Sequence, residues 1–306
     1  KPKFWDLKRP NLLSYLLLPL TIPIILNNIL INFASKLKNE KIKSICIGNI
    51  YIGGTGKTPT SIHLAKEISS TGIKTAIVRK YYQAHKDEHD LIKENYNDLI
   101  LNQNRFEGVI KAEKMGYNIA ILDDGLQDFS IKKNLNIVCF NQKQLIGNGL
   151  VIPSGPLRES LSALTNADIL IINGKKNEIF EKKVKKINNK IEIYYSSYEP
   201  INLNQFTNKK LLALAAIGNP ENFFKLLEDH NLLVKKKITF PDHYIFSKKE
   251  IEKIIIEAEK ENYQIVMTEK DYFKIKNFNN NLKYLKVALR IENQEKILNR
   301  IKALHV

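Results

Sequence analysis

The feature that most constrains this chain is a glycine-rich turn between an apolar run and a helical pattern. Residues 53–58 read Gly-Gly-Thr-Gly-Lys-Thr, the apolar run covers residues 45–52, and the helical pattern opens at Pro59. A turn of this composition frees backbone amides to surround an anion where a strand becomes a helix. The sequence therefore predicts an α/β fold in which this turn binds phosphate groups.

The residue types of the turn predict a nucleoside triphosphate site. Lys57 can reach the β- and γ-phosphate oxygens, and the hydroxyl of Thr58 can ligate Mg²⁺. The strict pattern has glycine six residues before the lysine, where this chain has Tyr51. A plain turn between a strand and a helix is the alternative. The predicted nucleotide-binding residues are Gly53, Gly54, Thr55, Gly56, Lys57 and Thr58.

Short apolar runs alternate with longer helical patterns, which favours a P-loop NTPase-like parallel sheet flanked by helices. Predicted strands cover residues 45–50, 75–79, 118–122, 136–140 and 168–172, and predicted helices cover 59–70 and 104–115. A lysine-rich amphipathic segment at 178–190 and an irregular segment at 196–208 follow. A second set of predicted elements then follows. Its strands lie at 211–216, 264–267 and 284–288, and its helices lie at 221–227, at 248–261 and in a last segment that ends at 303. We predict a core domain at 41–200 and a smaller C-terminal α/β domain at 201–306.

The N-terminal segment, residues 1–40, is predicted to associate with a membrane. Residues 12–33 carry no charge, and that is long enough to span a bilayer, for which about 20 apolar residues suffice. Basic residues stand on both sides: Lys1, Lys3, Lys8, Arg9, Lys36, Lys38, Lys41 and Lys43. A spanning helix would put the first group outside, against the positive-inside tendency, so an interfacial position is favoured. A true span and a helix packed on the protein's own core remain alternatives.

The amino-acid composition limits the classes of partner that this chain is expected to bind. The 306 residues carry a net charge of +16, which suggests nucleic acid, phospholipid headgroups or a phosphorylated substrate. Because the lysines are scattered singly and in pairs, we predict no nucleic acid partner, and no obligate protein partner is inferred. Cys46 and Cys139 lie in apolar runs, which indicates packed thiols in a reducing compartment.

A pair of acidic residues, Asp123 and Asp124, follows the predicted strand at 118–122. A carboxylate at a strand end opposite a phosphate loop is suited to holding Mg²⁺ directly or through water. Acidic residues are also common in exposed loops, which is the alternative. The predicted metal ligands are Thr58, Asp123 and Asp124, and the predicted cofactors are ATP and Mg²⁺.

Several short motifs occur together in one order along the chain. They are Lys-Pro-Lys-Phe-Trp at 1–5, Gly-Asn at 48–49, the turn at 53–58, Asp-Asp-Gly-Leu-Gln at 123–127, Gly-Asn-Gly at 147–149, Pro-Ser-Gly-Pro-Leu-Arg-Glu at 153–159, Gly-Asn-Pro at 218–220, Phe-Pro-Asp-His at 240–243 and Met-Thr-Glu-Lys-Asp at 267–271. In this set the chain resembles the tetraacyldisaccharide 4'-kinase family of lipid A biosynthesis. The resemblance runs over nearly the whole length.

The resemblance implies transfer of the ATP γ-phosphoryl group to the 4'-hydroxyl of a tetraacylated glucosamine disaccharide 1-phosphate, at the cytoplasmic face of the inner membrane. The protein would be peripheral there or anchored by its N-terminus. Implied catalytic residues are Lys57, Asp87 as the base and His243 as its helper; implied substrate residues are Arg79, Gln127, Arg158 and Glu159. Asp87 is alternatively one more solvated charge and His243 a helix cap, while Arg158 and Glu159 alternatively cap a helix. Lys270 is a weaker candidate for the nucleotide site.

The chain departs from the family pattern in four places. A longer segment that the family has before Asp87 is nearly absent here, and Asn104-Arg105 stands where the family usually has Asp-Arg. The family has Ser-Arg-Gly-Tyr-Gly where residues 78–82 read Val-Arg-Lys-Tyr-Tyr, and it commonly has His where this chain has Asp128. A P-loop GTPase or ATPase switch, or a metallochaperone, is the first alternative function, although no Asn-Lys-x-Asp guanine-specificity sequence occurs. A membrane-binding scaffold with a decayed site is the second.

Overall fold

The structure, a computed structural model, describes residues 2–34, 41–242, 244–279 and 282–305. Contacts between residues divide the chain into two compact units. The first unit comprises Lys1–Tyr81, Asp98–Ser197 and Ile291–Val306, and the second comprises Tyr82–Asn97 and Tyr198–Arg290. Both units contain parallel strands and helices, so the predicted parallel-sheet α/β class is confirmed.

The larger sheet has eight strands in the order β12-β7-β6-β5-β1-β4-β2-β3. Its strands are β1 (Lys43–Gly48), β2 (Thr75–Lys80), β3 (Leu99–Asn102), β4 (Ile119–Asp123), β5 (Leu135–Asn141), β6 (Ile169–Asn173), β7 (Glu192–Pro200) and β12 (Val287–Ile291). The pairings from β3 through β7 are parallel. The helices of this unit beyond the N-terminal segment are α3 (Lys57–Ser69), α5 (Arg105–Lys114), α6 (Glu178–Ile187) and α10 (Gln294–His305).

The strand order determines where a ligand can bind. β1 and β4 are almost entirely buried aliphatic strands, and the order reverses around β1, since β4 lies on one side of it and β5 on the other. Open parallel sheets bind ligands beyond the carboxyl ends of the strands at such a reversal. The residues after Gly48 and at Asp123 therefore occupy the favoured position.

The second unit is built on a parallel sheet of four strands in the order β11-β10-β8-β9. These strands are β8 (Lys210–Ala215), β9 (Leu233–Thr239), β10 (Gln264–Thr268) and β11 (Lys283–Leu285). The helices of this unit are α4 (Lys86–Asn95), α7 (Pro220–Asp229), α8 (Lys248–Lys260) and α9 (Glu269–Ile275). Two apolar clusters form its core, and α8 begins with a capping box between Ser247 and Glu250.

The N-terminal segment folds as short helices. They are a 3-10 turn (Lys3–Asp6), α1 (Leu12–Leu16), a second 3-10 turn (Leu18–Thr21) and α2 (Ile22–Ala34). No helix within the described parts of the chain is both long and apolar enough to cross a membrane. Polar Ser14 and Thr21 are buried, whereas Leu12, Leu16 and Leu30 are exposed.

Two predicted elements differ from the structure. The segment at 196–208, predicted to be irregular, begins as β7, which extends to Pro200 and pairs with β6. The strand predicted at 284–288 is two strands in different sheets, β11 and β12. The predicted domain ranges stay a prediction; the two contact-based units differ from them at Tyr82–Asn97 and Ile291–Val306.

Candidate active site

The glycine-rich turn leads directly into α3, and Gly56 forms its N-cap with a φ of 88°. This left-handed conformation favours glycine, because a side chain there is strained. The buried side chain of Asn49 fixes the turn through two hydrogen bonds. Its Nδ2 donates to Oγ1 of Thr55 at 2.9 Å and to the carbonyl of Gly53 at 3.4 Å. Lys57 and Thr58 then occupy the first turn of α3, where the amides and the helix dipole favour an anion.

Asp123, at the carboxyl end of β4, is fully buried and accepts hydrogen bonds at both oxygens. Ser61 Oγ donates to Oδ1 at 2.8 Å, and Thr58 Oγ1 donates to Oδ2 at 3.1 Å. Arg79 NH1 pairs with the same Oδ2 and donates to Thr58 Oγ1 at 3.2 Å. Arg79, predicted for the substrate side, is therefore buried against the phosphate-loop helix and β4.

Asp124 is the point at which cations converge. Its Oδ1 lies 3.8 Å from Nζ of Lys57 and 3.0 Å from NH1 of Arg158. Burial alone raises the pKa of this carboxyl, but nearby cations outweigh burial and lower it to about 2. In order of effect, these cations are Lys57, Arg158, Arg79 and Arg105. Asp124 is therefore ionised throughout the physiological pH range.

Arg105, the first residue of α5, holds the backbone of both acidic residues. Its NH2 donates to the carbonyl of Asp124 at 2.8 Å and to that of Asp123 at 3.4 Å. Asp124 has a φ of 54°, a left-handed conformation that is uncommon outside glycine. Asp128 accepts from NH1 of Arg105 at 3.2 Å and so helps to orient the guanidinium. Burial raises the pKa of Asp128, but hydrogen bonds from Ser130 and the charge of Arg105 lower it overall.

Gln127 connects the two motifs that carried the resemblance. Its Nε2 donates to Oε1 of Glu159 at 2.7 Å and to the carbonyl of Asn49 at 3.1 Å, and its Oε1 accepts from Arg158 at 3.4 Å. The structure thus brings Gln127, Arg158 and Glu159 together beside Asp124. Arg158 contacts Asp124 and Gln127 and so does more than cap a helix.

The donor set fits Mg²⁺. Within the described residues, no group of three or more His, Cys, Asp and Glu side chains gathers as a metal site. Mg²⁺ in phosphoryl-transfer enzymes needs fewer protein ligands, because water and phosphate oxygens supply the rest. Thr58 and the carboxylates of Asp123 and Asp124 provide hard oxygen atoms at one end of α3.

Asp87, the predicted base, lies in the first turn of α4 in the second unit and is only 8% exposed. Two lysines of α9 approach the same oxygen, Oδ2: Nζ of Lys270 and Nζ of Lys274 are each 3.6 Å away. The two ion pairs hold the carboxylate of Asp87 against α9. Asp87 is thus a buried, paired carboxylate and not a solvated surface charge.

Lys270 also pairs with Glu88 at 3.3 Å and with Asp242 at 3.2 Å. Burial lowers its pKa, but the charges of Glu88, Asp242 and Asp87 outweigh burial and raise it. The structure therefore places Lys270 beside Asp87 in the second unit. His243, the predicted helper of Asp87, lies outside the described residues.

Sequence reasoning missed several residues of this network. Ser61 and Arg105 contact the acidic pair, and Lys274 contacts Asp87, yet none of the three was among the predicted site residues. A small hydroxyl one helical turn after Thr58 was the available signal for Ser61, because residues three apart on a helix share a face.

A family model described as LpxK, tetraacyldisaccharide-1-P 4'-kinase, matches residues 14–305. The chain belongs to this family. The predicted ATP-dependent lipid A 4'-kinase is thereby confirmed, and the alternative of a P-loop switch or metallochaperone is not favoured.

Relatives of this family cover nearly the whole chain. A tetraacyldisaccharide 4'-kinase from Pelagibacter ubique is 40% identical over 306 residues, covering 98% of this chain and 96% of the relative. The enzyme of the same name from Rickettsia akari is 30% identical over 323 residues with the same coverage. The crystal structure of LpxK from Aquifex aeolicus in complex with ATP superposes with a TM-score of 0.72, at 20% identity, over 96% of this chain and all of that one, and shows the same fold.

Proposed function

We propose that this kinase transfers the ATP γ-phosphoryl group to the 4'-hydroxyl of a tetraacylated glucosamine disaccharide 1-phosphate, using the residues described above. The observation that carries the proposal is the convergence of Lys57 and Arg158 on one oxygen of Asp124. Phosphoryl transfer depends mainly on positioning and charge neutralisation, and two cations beside the phosphate loop supply both.

The loop amides and Lys57 would bind the triphosphate, and Thr58, Asp123 and Asp124 would hold Mg²⁺. The bound ion would neutralise charge on the transferred phosphoryl group. Asp123 also accepts from Ser61, Thr58 and Arg79, so that in addition to its place among the metal ligands it would fix the Thr58 hydroxyl. Asp124, which faces Lys57 and Arg158, is then the carboxylate nearer the phosphates.

Asp87 is assigned as the base that accepts the proton of the sugar hydroxyl, with His243 as its helper. The assignment is supported by the burial of Asp87 and by the two lysines that pair with its carboxylate. Gln127 and Glu159 are assigned to the sugar side, where a hydrogen-bonded amide and carboxylate can orient hydroxyl groups.

The N-terminal segment is assigned to an anionic membrane surface at the cytoplasmic face of the inner membrane. Large apolar side chains are exposed along it, among them Leu12, Leu16, Leu20, Ile22, Leu26 and Leu30. Exposed Lys3, Lys8 and Arg9 lie next to this apolar surface. An apolar face rimmed by cations is suited to the headgroup region of an anionic bilayer, where a lipid substrate resides.

The test is transfer of label from γ-labelled ATP to tetraacyldisaccharide 1-phosphate in detergent micelles with Mg²⁺. The wild type should label the lipid, and Lys57→Ala should reduce kcat/KM by at least about 100-fold, because the cation acts on the transition state. Lys111→Ala, on the exposed face of α5, is the matched control and should transfer label like the wild type.

Asp87→Asn separates the base assignment from the function as a whole. It should lower kcat by about 100-fold while leaving nucleotide binding intact, since general base catalysis contributes about 10²- to 10⁴-fold. Full activity of Asp87→Asn would disprove the base assignment. Absence of lipid labelling by the wild type would disprove the proposed function.

A further inference from the structure

The N-terminal segment contacts the nucleotide site of its own unit at two separate places. One contact reaches Tyr51, two residues before the glycine-rich turn, and the other reaches the residue that pairs with Asp124. Both are hydrogen bonds that involve polar side chains of the segment, Asp6 as an acceptor and Asn28 as a donor.

The first contact is between Asp6 and Tyr51. The hydroxyl of fully buried Tyr51 donates to Oδ1 of Asp6 at 2.8 Å. The ring lies behind the phosphate loop: a Cβ built on Gly53 would stand 3.3 Å from Cε1 of Tyr51. Tyr51 occupies the position where the strict loop pattern has glycine. The ring and hydroxyl therefore form a bridge from Asp6 to the loop that a glycine could not make.

The second contact is between Asn28 of α2 and Arg158. Nδ2 of Asn28 donates to the carbonyl of Arg158 at 3.1 Å, and the backbone amide of Arg158 donates to the carbonyl of Ile50 at 2.8 Å. The guanidinium of Arg158 pairs with Asp124. Asn28 therefore helps to fix the backbone from which the guanidinium reaches the acidic pair.

Further hydrogen bonds and apolar contacts hold the N-terminal segment against the rest of its unit. Trp5 Nε1 donates to the carbonyl of Pro153 at 2.9 Å, and Asn148 Nδ2 donates to Oγ of Ser14 at 3.0 Å. Ile24 and Ile25 of α2 pack against the apolar cluster that contains Tyr51. The buried face of the N-terminal segment thus packs against the residues that support the nucleotide site.

We propose that Asp6 and Asn28 are positioning residues of the nucleotide site, Asp6 acting through Tyr51 on the phosphate loop and Asn28 acting through Arg158 on Asp124. The proposal rests on the proposed function, because it takes the loop and Asp124 as the site of Mg-ATP. It assigns the N-terminal segment a second role, independent of any membrane: holding the loop and Arg158 in the geometry that binds the triphosphate.

The expected effect follows from the strength of a single hydrogen bond. Loss of one such bond costs a factor of about 3 to 10 in an equilibrium constant. A bond from a tyrosine hydroxyl to a carboxylate lies toward the stronger end, because one partner is charged. Each single variant should therefore weaken nucleotide binding several-fold without removing it.

The experiment measures binding of Mg²⁺ and a non-hydrolysable ATP analogue by calorimetry on the full chain in detergent, without vesicles. Tyr51→Phe keeps the ring and removes only the hydroxyl, so it preserves the packing. Asn28→Ala should weaken binding about 3- to 10-fold. Its neighbour Asn27, exposed on the same helix, provides the matched control Asn27→Ala, which should bind like the wild type.

A double-mutant cycle gives a readout that a purely structural role would not produce. If Asp6 acts through Tyr51, then Asp6→Ala combined with Tyr51→Phe should bind no more weakly than either single variant. In steady-state kinetics the KM for ATP should rise while the KM for the lipid acceptor stays constant.

Wild-type affinity in both Tyr51→Phe and Asn28→Ala would overturn the inference. A loss of affinity that equals the unfolded fraction of each variant, measured by circular dichroism, would overturn it as well. If the wild type itself took up no nucleotide, the proposed function would fail, which is distinct from equal binding by the wild type and the variants.

Discussion

At the scale of single residues, the negative charge of Asp124 has two opposing effects on the binding of phosphate groups. Its charge holds Lys57 and Arg158 near the phosphate loop, and the same charge repels the phosphates that those cations are there to bind. Thr58, Asp123 and Asp124 would hold Mg²⁺, whose positive charge would offset this repulsion. Without the ion, we expect the carboxylate and a triphosphate to compete for the same cations.

This charge also contributes to stability, and its contribution depends on pH. Because the pKa of Asp124 falls from 3.8 to about 2 on folding, the ionised carboxylate stabilises the fold above pH 4 by about 2 kcal/mol. The stabilisation is lost as the pH falls from about 4 towards 2. Asp124→Asn should lower the free energy of unfolding by about this amount at pH 7, measured in urea.

The difference between wild type and Asp124→Asn should shrink as the urea titrations are repeated from pH 4 downwards. Asp229→Asn, at an exposed position of α7, is the control and should match the wild type at pH 7 within about 0.5 kcal/mol. A difference for Asp124→Asn that is constant from pH 7 to pH 3 would contradict the prediction.

Asp128 pairs with the arginine beside the acidic pair. Asp128→Asn should loosen Arg105, which holds the carbonyls of Asp123 and Asp124. We expect kcat/KM for ATP to fall about tenfold, the effect of losing one charge-assisted hydrogen bond, with a higher Mg²⁺ requirement. An unchanged Mg²⁺ titration would show that Asp128 does not act through Arg105.

The predicted and the missed residues differ in a physical way. Lys57, Thr58 and the acidic pair were predicted because each belongs to a run whose chemistry can be recognised locally. Ser61 and Arg105 were not, because their contacts join residues that are far apart in sequence and depend on how β4 lies between β1 and β2. Side-chain partners of this kind follow from sheet order, which the sequence pattern alone did not determine.

At the scale of elements, α4 and α9 present opposite charges to each other. Lys270 and Lys274 are four residues apart, so they lie on one face of α9, and both approach Asp87 of α4. Removing one cation leaves the carboxylate of Asp87 paired with Lys270 alone. Lys274→Met should therefore lower kcat for lipid phosphorylation several-fold, because the carboxylate is then held less well in position.

The measurement is kcat for lipid phosphorylation at saturating ATP and lipid, with Lys225→Met on the exposed face of α7 as the control. An unchanged kcat in Lys274→Met would contradict a role of this lysine in positioning Asp87.

The elements themselves were predicted best where their residues are apolar throughout. β1, β4, β5 and β6 are buried strands of aliphatic residues, and their positions were predicted to within two residues or so. β7 was predicted to be irregular after residue 195, because its second half, Ser-Ser-Tyr-Glu-Pro, has polar side chains. Its pairing with β6 uses backbone groups, which side-chain patterns do not report.

At the scale of the whole molecule, the distribution of apolar surface is the feature that remains to be explained. A soluble protein rarely exposes a large contiguous apolar patch. Here the N-terminal segment buries polar Ser14 and Thr21 and exposes Leu12, Leu16 and Leu30. This inverted arrangement is expected of a segment whose outer face contacts lipid.

The full protein should therefore bind anionic vesicles through this face. Leu26→Glu combined with Leu30→Glu should lower the vesicle partition constant by about tenfold or more, because two exposed leucines are replaced by charges that anionic headgroups repel. Ile179→Glu on α6, which changes a side chain that is 85% exposed, is the matched control and should partition like the wild type.

Vesicle binding should also weaken as salt screens the charges of Lys3, Lys8 and Arg9. If the double variant sedimented with vesicles as the wild type does, the apolar face would have another occupant. Asn28 lies on the face of α2 that contacts the rest of the unit, and the double variant leaves that face unchanged. Nucleotide binding by the double variant should therefore equal that of the wild type. This result would separate membrane contact from positioning of the nucleotide site.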